Sequence, residues 1–236
     1  MDKGTLYLIP VPLGQSPLEA VLPPHVRDCA RQLKYFVAEN AKSARAFLKS
    51  LPSDTPVQQI EIRELSEHTP AKALPEFLAP LLKGQDVGLI SEAGCPAVAD
   101  PGANLVALAQ HEGIRVAPLV GPSSILLALM ASGLSGQNFA FHGYLPVKDD
   151  ERQKKLRELE KDSRNEKRAQ IFIETPYRNR QMLETALKAC TADTRLCVAT
   201  DLTLDSERIA TWTIAEWRRQ GLPEIDRRPT VFLLQA

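Results

Sequence analysis

The chain has 236 residues, 44% hydrophobic and 25% charged, with 29 Lys and Arg balanced by 29 Asp and Glu. That composition supplies a core for one large or two modest domains, and a net charge of zero excludes a global pull toward nucleic acid. No run approaches the roughly 20 apolar residues of a membrane span, the start MDKGTLYLIPVPLG has too short an apolar stretch for a secretory signal, and Cys29, Cys95, Cys190 and Cys197 lack metal or disulfide spacing, so a cytoplasmic protein without a metal site is expected.

Thr5 to Pro10 (TLYLIP) predicts a buried first strand that the proline-rich Val11-Pro12-Leu13-Gly14 cannot continue. Helical spacing over Val26 to Leu33 and Ser43 to Leu51 brackets a short strand at Tyr35 to Ala38, with Glu39 and Asn40 at its exit. A weaker strand follows at Glu61 to Leu65, then a helix over Ala73 to Leu82 despite Pro75 near its start. The run Asp86 to Ser91 turns apolar as a buried parallel strand does, and it breaks into SEAGCPAVADPG before a helix over Ala103 to His111. Strand, glycine-containing loop and helix in that order let backbone N–H groups meet a ligand with no side chain at Gly94 to hold it away. Alternating strands and helices predict an open, mostly parallel α/β sheet.

Arg115 to Leu119 is a further strand ending in VGPSS, after which Ile125 to Ala131 is an apolar helix that Ser123 or Ser124 can cap and Gly133 stops. A domain boundary is placed here, giving domains over 1–120 and 121–236. Beyond Phe139 to Pro146, the segment 148–168 is dense in charges of both signs and reads as a solvated helix with pairs such as Glu151 and Lys155; an RNA-facing edge is the other reading. A strand at Gln170 to Glu174, a helix from about Arg180 to Cys190, and strands at Arg195 to Thr200, Glu207 to Trp212 and Thr230 to Gln235 complete a second half with hairpin-like spacing.

The phrases LYLIPVPLG, SEAGCPAVADPG, VGPSSILLALMASGL, FHGYLPVKDDER and IETPYRNRQMLE resemble, in order, the signature blocks of the tetrapyrrole methylase family, and are most similar to its branch that methylates 16S ribosomal RNA at the ribose 2'-hydroxyl. The resemblance covers nearly the whole chain. It implies two α/β domains with S-adenosylmethionine in the cleft between them, a homodimer, and RNA or a ribosomal subunit as partner. Position by position, it implies Pro10, Pro12 and Gly14 in a first cofactor loop, Ala93, Gly94, Cys95, Pro96, Val98 and Asp100 in a second, and Ser123 and Ser124 near the methionine portion. Cys95 reads as a packing residue of that loop, not as a nucleophile.

The chain departs from the RNA branch in three places. It reads Glu39-Asn40-Ala41-Lys42 where the branch carries an acidic pair followed by Thr-Arg, it has Pro176-Tyr177-Arg178 in place of Pro-His-Arg, and the sequence stops at RRPTVFLLQA, where the branch is expected to carry an extra C-terminal region. These departures leave the methyl donor in place and keep three readings open: an RNA acceptor, a tetrapyrrole or other small acceptor, and a non-catalytic S-adenosylmethionine-binding module. In-line methyl transfer to a hydroxyl needs alignment and a base, for which Glu39, Glu174 and Glu207 are the candidates. Arg178 joins them as a catalytic candidate, while Lys148 and Arg152 are placed for phosphates and Tyr144 and Tyr177, beside loop prolines, for substrate contact.

Overall fold

The computed structural model describes residues 2–52 and 56–236. They form two compact units, one running to Ser123 and the other from Ser124 to Ala236. Both are α/β, as expected.

In the first unit, β1 (Thr5–Leu8), β2 (Tyr35–Ala38), β3 (Glu61–Glu64), β4 (Val87–Ile90) and β5 (Arg115–Pro118) form one sheet in the order β3-β2-β4-β1-β5. Every pairing is parallel. Successive side chains on a strand point to opposite faces, so Phe36 and Ala38 enter one core and Val37 the other. The first core is closed by α2 (Pro24–Gln32) and α3 (Ala41–Ser50), and the second by α6 (Gly102–His111) together with Phe77, Leu78 and Leu81. With both faces covered, β4 is buried at all four positions, which is why its sequence reads as an apolar run.

Two details differ from the sequence expectation. A short helix, α1 (Leu18–Val21), precedes α2. The helix expected over Ala73 to Leu82 is a 3-10 turn at Ala71–Ala73 followed by α4 (Leu74–Phe77) and α5 (Ala79–Leu82). Pro80 breaks it, because proline lacks an N–H and its ring collides with the carbonyl four residues back.

The second unit carries a mixed sheet of β6 (Phe139–Tyr144), β7 (Ala169–Ile173), β8 (Arg195–Thr200), β9 (Arg208–Thr213) and β10 (Thr230–Gln235), in the order β6-β7-β10-β8-β9. Only β6 and β7 pair in parallel. On one face, α8 (Asp149–Glu166), α9 (Asn179–Ala189) and α10 (Ile214–Gln220) enclose a core around Phe172 and Phe232, whose rings stack 5.6 Å apart. On the other face lies α7 (Ser124–Ser132), with the Thr211 hydroxyl donating to the Ser132 carbonyl at 2.8 Å. No helix among the described residues is long and apolar enough to cross a membrane.

Candidate active site

Ligands of open parallel sheets gather outside the carboxyl ends of the strands, and three loops of the first unit are knit together there. Past β1, Ile9 donates its N–H to the Leu89 carbonyl at 2.9 Å, and Val11 and Gly94 then exchange both backbone hydrogen bonds, at 3.0 and 3.1 Å. This bridge ties the loop after β1, with Pro10, Pro12 and Gly14, to the loop after β4, with Ala93 to Asp100. The third loop, after β5, closes on the first at Gly121. A Cβ there would stand 2.3 Å from that of Pro10, so only glycine permits the approach.

Gly94 sits at φ +72°, and a Cβ on it would meet Leu13 Cδ2 at 3.1 Å and the Pro122 carbonyl at 3.4 Å. Ser91, buried, donates its hydroxyl to the Ala93 carbonyl at 3.1 Å, and the Cys95 thiol donates to the Pro122 carbonyl at 3.4 Å. Burial pushes the Cys95 thiol above its ordinary pKa, which fits the packing role and not a thiolate. Further along, Ala97 and Ala99 adopt left-handed conformations at φ +65° and +55°. Each costs about 1–2 kcal/mol in a residue with a Cβ, and such strain concentrates where a loop must aim its backbone at a ligand.

Asp100 ends this loop and accepts the Gly102 N–H at 2.6 Å where α6 begins. Its pKa is raised by burial, against the N–H groups of Gly102 and Ala97, which lower it. Glu39, at the exit of β2 and itself exposed, is also raised: first by partial burial, then by the carboxylates of Asp100, Glu92 and Glu67, with the Glu92 N–H working in the opposite direction. Next to it, Asn40 caps α3, its side chain accepting the N–H groups of Lys42 and Ser43 at 2.9 and 3.2 Å. Asn and Asp cap helices equally well, so this departure from the acidic pair keeps its structural task. Between these loops and α3 lies a cavity of about 410 Å³ lined by Val11, Leu13, Ser43, Phe47, Ser91 and Glu92. Its volume is that of a small-molecule site. Backbone groups held at fixed angles beside a cavity of this size fit an S-adenosylmethionine portion.

In the second unit, Glu174 follows β7 with its side chain fully buried. Its Oε1 accepts the Thr175 N–H at 2.6 Å, the Thr175 hydroxyl at 3.2 Å and the Arg178 guanidinium at 2.6 Å. Glu174 Oε2 and Arg178 Nε are buried without a hydrogen-bond partner among the described residues. The Glu174 bond holds the Arg178 pKa above its ordinary value, and Tyr177 and Tyr144 lie near enough to contribute. Both tyrosines are exposed, at 73% and 58%. The fold thus brings Glu174, Arg178, Tyr144 and Tyr177 together.

Other predicted residues go elsewhere. Arg152 is 1% exposed, and its guanidinium donates to Asp149 at 2.6 Å, to the Val147 carbonyl at 2.7 Å and to the Thr185 hydroxyl. It therefore cannot serve a phosphate: it lies on the buried stripe of α8 with Leu156, Leu159 and Ser163. Lys148 is solvated and pairs with Glu151 at 3.2 Å. Glu207 precedes β9 and accepts the Thr203 N–H at 2.8 Å. It lies three strand spacings across the sheet from Glu174, about 14 Å, so these two carboxylates do not share one reacting centre. Ser123 closes the first unit and Ser124 opens α7. Sequence reasoning missed Glu92 and Glu67 as the charges around Glu39, and Gly121 as a contact point, although its VGPSS loop was visible.

The sequence profile of the tetrapyrrole (corrin/porphyrin) methylases matches residues 5–217. The chain is 32% identical over 216 residues to Ribosomal RNA small subunit methyltransferase I of Pseudomonas aeruginosa, covering 92% of this chain and 72% of that protein. To the protein of the same name from Xylella fastidiosa it is 31% identical over 232 residues, covering 98% and 80%. Among solved structures, the methyltransferase CobJ superposes with a TM-score of 0.64 at 19% identity over 100% of this chain and 94% of that one. The uroporphyrin-III C-methyltransferase of Thermus thermophilus, complexed with S-adenosylhomocysteine, superposes with 0.60 at 13% identity over 98% and 97%. The chain belongs to the tetrapyrrole methylase family and is an S-adenosylmethionine-dependent methyltransferase.

Proposed function

We propose that this chain methylates a ribose 2'-hydroxyl of small-subunit ribosomal RNA. The relatives named as ribosomal RNA methyltransferases support the acceptor. The observation that carries the chemistry is Glu39, a carboxylate raised in pKa beside the knit loops. A base works best when its pKa approaches the working pH, and partial burial, then the surrounding carboxylates, move Glu39 that way.

S-adenosylmethionine, when bound, supplies a methyl group on a cationic sulfur. Pro10, Pro12, Gly14, the loop from Ala93 to Asp100 and Ser123 would hold it. Glu39 would take the proton of the ribose hydroxyl as it accepts the methyl group, so that no charge is left on the ribose oxygen. Arg178, held by Glu174, and the exposed rings of Tyr144 and Tyr177 are the second unit's proposed contacts to RNA, Arg178 through a phosphate. Glu174 acts through Arg178 and is a positioning residue. The same reading has the protein act in the cytoplasm as a homodimer, for which the four-fifths exposed Met130 on α7 offers apolar surface.

The test is to incubate small ribosomal subunits with the protein and labelled donor, then hydrolyse the RNA with alkali. Label retained in an alkali-resistant dinucleotide is expected, because a 2'-O-methyl group blocks cleavage at its own linkage. Label released with a mononucleotide would place the methyl group on a base.

A further inference from the structure

The second unit holds another cavity, of about 490 Å³, on the face of its sheet that carries α10. Its floor is one face of β9. Pairing sets Trp212, Ala210 and Arg208 opposite Leu196, Val198 and Thr200, so these three side chains share a face in the order ring, small gap, cation. The opposite wall is the segment after α10, with Leu222, Pro223 and Glu224.

Trp212 and Trp217 are the only tryptophans of the chain. Their ring centroids are 4.4 Å apart at 54°. Trp217 is 2% exposed and fixed by its indole N–H, which donates to the Leu196 carbonyl at 2.8 Å. Trp212 is therefore a backed ring with more than a third of its surface open, the form an aromatic stacking platform takes. Ala210 leaves room beside that ring. At the far end stand the Arg208 cation and the carboxylates of Glu207 and Glu224.

We propose that this pocket takes one nucleotide of single-stranded RNA: the base stacks on Trp212 over Ala210, Glu207 or Glu224 accepts from an amino or imino group of the base, and Arg208 meets the phosphate. Stacking suits any base, a carboxylate suits an amino edge, and a guanidinium suits a phosphate. Neither a purely apolar ligand nor a simple anion would use all three. This inference rests on the RNA reading above and extends it to a further RNA contact within the second unit. It also gives Glu207 a recognition role in place of a catalytic one.

Tryptophan fluorescence, excited at the red edge where tyrosine does not absorb, reports on this pocket, since both tryptophans line it. Titration with uridine monophosphate and with a short unstructured oligoribonucleotide should quench it saturably. Ala210→Leu, which fills the gap, should weaken both by about tenfold or more and raise the KM for RNA, while leaving the KM for the methyl donor unchanged. Arg208→Gln, at an exposed position that does not threaten folding, should weaken the monophosphate and the oligonucleotide but not free uridine. Absence of saturable quenching, or wild-type binding by both variants, overturns the pocket even if RNA is methylated. Quenching in a protein that methylates no RNA upholds the pocket and overturns the acceptor instead.

Discussion

Val11 and Gly94 form an isolated antiparallel bridge, each donating its N–H to the other's carbonyl, at 3.0 and 3.1 Å. Two loops that leave adjacent parallel strands are thereby fixed as one surface. Gly94 adopts φ +72° without strain, where a Cβ would be strained and crowded by Leu13 and Pro122. Gly94→Ala should lower stability by about 1–2 kcal/mol and weaken S-adenosylmethionine binding, read by denaturant unfolding and by calorimetry on the same sample. Unchanged values in both would remove Gly94 from the donor site.

Glu39 should show opposite effects on stability and on activity. Its folded pKa is raised, so the protonated form is favoured in the native state. The stability it contributes is present below its unfolded pKa and is lost as pH rises through the folded value. Glu39→Gln should therefore stabilise the protein at neutral pH by a few tenths of a kcal/mol, screened by solvent, with the gain vanishing below about pH 4.5. The same variant should lose about 100-fold or more in kcat with donor affinity retained. Wild-type kcat would exclude it as the base.

Arg178 separates a binding role from a structural one. Removing it leaves the buried Glu174 carboxylate without its cation, so Arg178→Ala should cost about 2 kcal/mol. Replacing both residues with apolar ones, as in Glu174→Leu with Arg178→Met, should recover much of the stability. A KM for RNA that stays raised in the double variant marks the acceptor contact; a KM that recovers with stability marks a structural pair.

Arg152 should behave as a core residue. Arg152→Ala removes the hydrogen bonds that the guanidinium donates to Asp149, Thr185 and the Val147 carbonyl, and should lower stability by about 3 kcal/mol. Its effect on the KM for RNA, measured at a temperature where the variant is folded, should be within twofold. A selective loss of RNA affinity with intact stability would restore it to the phosphate contacts.

The parallel half was legible because burial on both sheet faces writes apolar runs into the sequence: β2 lies at Tyr35–Ala38 as expected, and β4 and its loop stand where the apolar run breaks. Pro80 stands inside the helical spacing of Ala73 to Leu82, and the break it makes outweighs that spacing. Arg152 misled for a related reason. Its place with Leu156, Leu159 and Ser163 on one stripe was readable, yet a charge in a charged segment reads as solvated until Thr185, from a different helix, supplies its partner. The charges around Glu39 come from Glu67, Glu92 and Asp100 in other segments, and no local pattern could have assembled them. The Trp212 and Trp217 pair needs the β8 and β9 register and α10 together.

Labelled methyl transfer to small ribosomal subunits and to a tetrapyrrole such as uroporphyrinogen, run side by side with one preparation of the protein, tests the assignment most directly. Transfer to the RNA, lost in Glu39→Gln and absent with the tetrapyrrole, is the predicted result. Transfer to the tetrapyrrole with none to RNA would contradict it.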